Sequence, residues 1–311
     1  TYKPCATSNQ HFFTLKFSHS NHDKAYILMY AVLGYMSHVK TIKTFRDLLA
    51  FLTIIPMGGK EDFVLTSAEH VYLFPIIGGF IGLLGAAYFV ASSFIVQFLV
   101  ALVSSVIALP LGFLVTLAPA AMTIAFLLVM TGLQHFDGLI DLGNAVGQRN
   151  VHDRKMMAHA WTVTYSGAVF AMIIEFIAVL GLVLVNPAFA FAAVLVAEVS
   201  AKLAMVTIVW VGKPTHKGLG SIFLKKAKKR LNAVAYLIST LIAFAVFTLI
   251  GNWWLGALSV GLVLVSVPVA FVMEKVALKV FGGVSGDVIG ATNEVARAVT
   301  LISFAVVLMV L

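Results

Sequence analysis

Long apolar blocks separated by short polar segments organise this chain. The polar segments fall at 38–47, 58–70, 134–160, 212–230 and 274–297, and the apolar blocks between them run over 71–133, 164–211 and 231–273, with a tail at 298–311. Between Glu69 and Asp137 there is no Asp, Glu, Lys or Arg, and apolar runs beyond about 20 residues read as bilayer-spanning helices. The last two full blocks are each interrupted by an uncharged break, Asn186-Pro187 and Gly251-Asn252, so each is predicted to be a helical hairpin. In the first block Pro110 and Pro119 fit one uncharged outer turn between two spans. A hairpin returns to the side it left, which places 134–160, 212–230 and 274–297 on one membrane face. The expected fold is all-α, a polytopic membrane helix bundle of about six to seven spans. Six spans form three hairpins, preceded by an amphipathic helix near 44–55. The tail either completes a seventh span by borrowing residues from Asn293 onward or lies against the bundle.

Composition agrees and adds an orientation. Of 311 residues, 61% are hydrophobic and 11% charged, against about 25% charged in soluble domains. Net charge is +8, and Lys213, Lys217, Lys225, Lys226, Lys228, Lys229 and Arg230 all lie in 212–230 with no acid among them. Such an excess marks cytoplasmic loops and attracts anionic lipid. The basicity therefore reports topology, not affinity for nucleic acid, and sets the shared face toward the cytoplasm in a cell membrane. The single Cys5 excludes an intrachain disulfide, and His19 with His22 supplies half of a closed zinc site at most. Residues 1–35, polar and unlike the rest of the chain, are expected to be an N-terminal extension ahead of a natural start at Met36, and 36–311 a single integral membrane catalytic domain. Oligomeric state is left open.

Chemistry has to come from the polar exceptions. In Thr131-Gly132-Leu133-Gln134-His135-Phe136-Asp137-Gly138-Leu139-Ile140-Asp141, Asp137 and Asp141 are four apart and share a helix face. Two carboxylates that close need a cation between them or are simply solvated at the membrane edge. Gly138 would leave backbone uncovered beside the first of them, room for a phosphate. In Gly282-Gly283-Val284-Ser285-Gly286-Asp287-Val288-Ile289-Gly290-Ala291-Thr292-Asn293-Glu294, a glycine-rich turn enters a helix with an acid at each end of one stripe. It suits phosphate at the helix start near Gly286 and a third metal carboxylate at Asp287, or else a small-residue packing surface. Glu175, Glu198 and Lys202 are ionisable residues in apolar context; Glu198 and Lys202 form an i,i+4 pair, and Lys202 either neutralises Glu198 or turns toward a substrate phosphate.

Together with Phe51–Pro56 (FLTIIP), Phe74–Gly82 (FPIIGGFIG) and Leu219–Phe223 (LGSIF), these two motifs resemble the adenosylcobinamide-GDP ribazoletransferase family, also called cobalamin synthase or cobalamin 5'-phosphate synthase. The match spreads over nearly all of 46–300. The resemblance implies a membrane-embedded phosphotransferase that joins adenosylcobinamide-GDP to alpha-ribazole or alpha-ribazole 5'-phosphate. It releases GMP, forms adenosylcobalamin or its 5'-phosphate, and requires Mg2+. On that basis Asp137, Asp141 and Asp287 are expected to hold the metal, and His135 and Glu294, with Asp137 and Asp141, to be catalytic. Gly138, Lys202, Lys213, Lys217, Gly286 and Asn293 are expected to bind substrate. Where many bacterial members carry Lys-Asp-Ser-Arg-x-Gly, this chain has Ala158-His159-Ala160-Trp161-Thr162-Val163-Thr164-Tyr165-Ser166-Gly167, leaving Arg149, Arg154, Lys155 or His159 to compensate. A CDP-alcohol-type phosphotransferase is the alternative, although Asp141 and Leu142 stand where that family's pattern has Ala-Arg. A secondary transporter, coupled through Glu175, Glu198 and Lys202, is the remaining one.

Overall fold

The computed structural model of the chain describes residues 41–57, 63–148, 150–158 and 162–310. The expected extension at 1–35, with Cys5, His19 and His22, lies outside them, as do Arg149 and His159. Contacts divide the chain into Thr1–Lys43 and Thr44–Leu311; the second unit holds residues 44–52 of a first helix, α1, and all the later helices. These are α2 (Phe63–Glu69), α3 (Phe74–Val106), α4 (Leu114–Met130), α5 (Gln134–Val146), α6 (Val151–Ala158), α7 (Tyr165–Leu184) and α8 (Pro187–Val211). Then come α9 (Leu219–Lys226), α10 (Asn232–Ile250), α11 (Trp253–Val263), α12 (Ser266–Phe281) and α13 (Gly286–Val310).

Seven segments among the described residues are long and apolar enough to cross a membrane: α3, α4, α7, α8, α10, α11 continued by α12, and α13. The architecture is an all-α, multi-pass membrane bundle. Both hairpin breaks lie where the pattern puts them, and each has a capping reason. Asn186 accepts a hydrogen bond from the Ala188 N–H at 3.0 Å with Pro187 at the first helical position, and Asn252 accepts one from Leu255 N–H at 3.0 Å, satisfying amides that a helix start leaves unpaired. The outer turn of the first hairpin carries Pro110, whereas Pro119 sits inside α4. α3 has 33 residues, about 50 Å at 1.5 Å per residue. It is longer than a hydrocarbon core of about 30 Å, so it tilts or projects beyond it.

The seventh span differs from expectation. It begins at Gly286, not near Asn293, so the polar stretch through Glu294 and Arg297 is buried in the bundle instead of forming a polar segment at the membrane face. α8 is its central post: every residue from Ala192 to Val209 is buried. α3, α10, α12 and α13 pack around it, while α13 also packs on α5 and α7.

The α3–α8 seam is a close backbone approach through Gly78 and Gly82. A Cβ at Gly82 would lie 2.6 Å from the Leu195 carbonyl oxygen and 2.8 Å from its Cα, and one at Gly78 would lie 2.6 Å from the Glu198 carbonyl oxygen. Small residues at such crossings let apolar helices gain dispersion contacts that lipid cannot match. Gly82→Ala is expected to lower stability by about 1–3 kcal/mol, read as an earlier thermal unfolding midpoint in detergent. Gly112→Ala, where nothing lies within 4 Å, should leave the midpoint unchanged.

Candidate functional site

The site starts at a strained turn. α4 ends at Met130, and Gly132 (φ 66) and Leu133 (φ 59) both take left-handed backbone before α5 begins at Gln134. For a bulky residue such as Leu133 that conformation costs about 1–2 kcal/mol. It is held by Leu133 N–H donating to Leu128 O at 2.9 Å and Asp137 N–H donating to Leu133 O at 2.8 Å. The turn aims α5 across the end of the bundle, with Asp137 and Asp141 on one helical face as their spacing predicts. At the far end of α5 the buried Asn144 accepts from Thr164 N–H at 3.0 Å and Oγ1–H at 2.7 Å and donates to Thr162 O at 2.8 Å, fixing α5 to the start of α7.

α5 meets α13 backbone to backbone. The space beside Gly138, expected to admit a phosphate, is taken by Asp287: a Cβ there would lie 3.1 Å from the Asp287 Cα and closer still to its carbonyl oxygen. The contact places the first acid of α13 next to the two acids of α5. Ser285 Oγ donates to Asp287 Oδ2 at 3.2 Å. The loop after α8 is tied to the entry of α13, with Val284 N–H donating to Lys213 O at 2.7 Å and Thr215 Oγ1–H donating to Phe281 O at 2.8 Å.

Here the bundle opens into a cavity of about 550 Å³. One wall carries Gln134, His135, Asp137, Gly286 and Asp287. The other is aromatic: Phe51, Phe63, Phe74 and Phe223, with His216 and Leu219 at the rim. His135 is 7% exposed and its Nε2 has no hydrogen-bond partner among the described residues. Burial first, then the Lys202 and Arg297 charges, hold its imidazole well below the ordinary value, so it is neutral at pH 7. Half-buried Asp141 is pushed up to about 7 by burial, then by the like charges of Asp137 and Asp287.

Among the described residues no three His, Cys, Asp or Glu side chains converge closely enough to cage a metal by themselves. Mg2+ asks for less: one or two carboxylates, retained waters and substrate phosphate. Asp137 and Asp287 lie near enough to add like-charge repulsion to the burial that raises Asp141, and hard carboxylate oxygens are the donors a divalent cation of this kind takes. The residues therefore suit Mg2+ completed by a substrate, not a closed site.

The other expected residues lie elsewhere. Lys213 and Lys217 are exposed on the loop at 212–218. Lys202, Asn293 and Glu294 are sealed inside the bundle and belong to a network. Lys202 Nζ–H donates to Asn293 Oδ1 at 2.7 Å and lies 3.4 Å from Glu198 Oε2, and Asn293 Nδ2–H donates to Glu294 Oε1 at 3.0 Å. Arg297 pairs with both Glu198 and Glu294. Both oxygens of Glu175 and Arg297 Nη2 are buried without a hydrogen-bond partner among the described residues. Glu294 is seven residues into α13 beyond Asp287, about 10 Å deeper, and does not line the cavity. Of the loop residues proposed to compensate for the missing bacterial motif, Arg154 donates to Gln148 O at 2.9 Å and Lys279 O at 3.3 Å; the Lys155 side chain lies outside the described residues.

The sequence pattern does not single out Arg297, Gln134, His216 or the aromatic wall. Phe51, Phe74 and Phe223 do belong to the FLTIIP, FPIIGGFIG and LGSIF motifs, so one cavity gathers segments far apart in the chain.

Removing Arg297 would strand two buried carboxylates. Arg297→Met is expected to cost about 3–5 kcal/mol, read as a large drop in the thermal midpoint. Asp141 predicts a pH signature. Between its ordinary value of 3.8 and about 7 the folded chain holds a proton that the unfolded chain has released, so this site's contribution to stability falls as pH rises through that window and levels off above it. Asp137→Asn removes one like charge and should flatten the slope in thermal unfolding between pH 4 and 7. Millimolar Mg2+ at pH 8 should raise the midpoint of the unsubstituted protein, and raise that of Asp141→Asn by less.

Comparison with known proteins places these features in context. A family model described as cobalamin-5-phosphate synthase matches residues 44–305. The chain is 28% identical over 271 residues to an adenosylcobinamide-GDP ribazoletransferase of Methanococcoides burtonii, covering 82% of this chain and 89% of that protein. It is 31% identical over 260 residues to one of Thermococcus onnurineus (83% and 95%) and 30% identical over 260 residues to one of Pyrococcus abyssi (83% and 95%). No solved structure matches.

Proposed function

Because the chain belongs to the cobalamin-5-phosphate synthase family, a multi-pass membrane transferase of cobalamin biosynthesis, we propose that it transfers the adenosylcobinamide-phosphate moiety of adenosylcobinamide-GDP to alpha-ribazole or its 5'-phosphate. A ribose hydroxyl of the acceptor attacks the phosphorus that bears the cobinamide side. The bond from that phosphorus to the bridging oxygen breaks, and GMP leaves with that oxygen. The 5'-phosphorylated acceptor has no free 5'-hydroxyl, so an attacking group common to both acceptors is another hydroxyl of the ribose.

The observation that carries this reading is one cavity holding Asp137, Asp287 and a buried His135, whose Nε2 has no partner among the described residues, at the end of a membrane bundle. Phosphoryl transfer asks mainly for positioning and charge neutralisation. Asp137 and Asp287, assisted by Asp141, would hold Mg2+, which when bound offsets the diphosphate charge. His135 Nε2 accepts a hydrogen bond from the attacking hydroxyl and takes its proton, a role a neutral imidazole can fill. In the first turn of α13 the Val288 amide is held by Ser285 Oγ and the Ile289 amide by Ser285 O, which leaves the Gly286 and Asp287 amides to meet the diphosphate. Exposed Lys213 and Lys217 adjoin this end and attract the guanosine diphosphate. By the Lys/Arg excess of 212–230, the cavity opens to the cytoplasm, where soluble nucleotides arrive. The transporter alternative loses support, because Glu198 and Lys202 satisfy each other, Arg297 and Asn293.

The purified full-length protein in liposomes should release GMP from adenosylcobinamide-GDP only with both the acceptor and Mg2+ present. Asp137→Ala should reduce turnover at least about 100-fold with the thermal midpoint retained. GMP release without acceptor, or full activity in Asp137→Ala, would overturn the assignment.

A further inference from the structure

The aromatic wall of the cavity is layered. Phe74 and Phe223 form the back, exposed to only 1% and 3%. In front of them stand Phe51 and Phe63, both part-exposed. Phe51 stacks on Phe223 with centroids 4.9 Å apart and an interplanar angle of 29°, and it also contacts Phe74 at 6.4 Å and Phe63 at 6.4 Å. Phe63 makes its ring contact with Phe51 and lies at the outer end of the cluster. α1, α2, α3 and α9 thus contribute a continuous aromatic surface that faces carboxylates and a histidine across about 550 Å³.

Phenylalanine rings left part-exposed at a cavity forfeit hydrophobic stabilisation until something apolar covers them. The cover must be flat and apolar at one end and carry polar groups at the other, where it meets Asp137, Asp287 and His135. A lipid chain would bring methylenes against the carboxylates, which have no use for them. The volume lies within the range of about 300–1,000 Å³ typical of pockets for drug-sized ligands. It suits a nucleoside and leaves a corrin macrocycle outside, with only the diphosphate arm of the donor reaching in. Between the two bases in the reaction, guanine has a hydrogen-bonding edge that selective sites satisfy with polar partners. Phe51, Phe63, Val64, Phe74 and Phe223 offer that edge no polar partner, and His216 stands only at the rim of their wall.

We propose that Phe51 and Phe63 are a stacking subsite for the flat, largely apolar heteroaromatic base of the acceptor nucleoside, orienting its ribose hydroxyls toward the Asp137–Asp287–His135 wall. The subsite rests on the ribazole-transfer reading and adds to it which substrate fills the cavity and which stays at its mouth.

Phe63 is the position to test, because it sits at the end of the cluster and not in its buried layer. In the full-length protein in detergent, KM for acceptor and for donor should be measured separately, with acceptor binding by calorimetry alongside. Phe63→Leu keeps apolar bulk and removes the ring. It is expected to raise acceptor KM and Kd roughly tenfold, with donor KM and the thermal midpoint unchanged, and Phe63→Tyr should restore acceptor affinity to within about twofold. An unchanged acceptor Kd in Phe63→Leu, or a donor KM that rises as much as the acceptor's, overturns the subsite while leaving the transfer reaction intact. An unsubstituted protein that binds the nucleoside through Phe63 yet releases no GMP keeps the subsite and sinks the reaction. One that neither binds nor turns over sinks both.

Discussion

Charged side chains inside a bundle of apolar helices are tolerated when each has a partner, because lipid and aliphatic side chains offer no solvation in exchange. Glu198, Lys202, Asn293, Glu294 and Arg297 meet that constraint together, and doing so fixes the relation of two helices. α8 is enclosed on all sides and supplies Glu198 and Lys202; α13 supplies the others. An axial slip of α13 along α8 by one turn would separate Arg297 from Glu198 and Lys202 from Asn293 at once. Hydrophobic contact between smooth aliphatic helices has no comparable register preference. The depth of α13, and with it the position of Asp287 at its start, is therefore set from inside the membrane by charge pairing. At the mouth the same helix is held by Gly138 against the Asp287 backbone, so the acids of α5 and α13 are placed by one restraint below them and one beside them.

Most of the fold could be read from the pattern of breaks. Asn186-Pro187 and Gly251-Asn252 are helix starts by their own local chemistry, and local chemistry is what a sequence displays directly. The Asp137–Asp141 face was readable for the same reason, since both residues share one helix. What misled was polarity in the seventh span. Asn293, Glu294 and Arg297 look like part of a polar segment at the membrane face because the partners that neutralise them, Glu198 and Lys202, lie some 90 to 100 positions earlier on another helix. Sequence spacing carries no signal of that pairing. Gly138 shows a related limit: a glycine beside an acid announces a close approach but not by what, and here a backbone fills the gap. The aromatic wall was hidden for the opposite reason, because phenylalanines in an apolar stretch look alike whether they face a core, lipid or a cavity.

The two walls of the cavity come from different parts of the molecule. The polar wall belongs to α5 and α13, which are anchored to the bundle interior through Asn144 and the ionic network. The aromatic wall is built largely from short elements at the membrane edge, α1, α2 and α9, together with the first residue of α3. Reacting groups need placement to a fraction of an ångström, and they sit on the rigid side. The short helices α2 and α9 pack against each other, and α9 also meets α8 and α13. A substrate base covering Phe51 and Phe63 would bury aromatic surface that is otherwise part-exposed. Binding energy from the base, remote from the reacting phosphorus, would then go into holding the ribose hydroxyl against the rigid polar wall, the use of substrate binding that raises the rate of the chemical step.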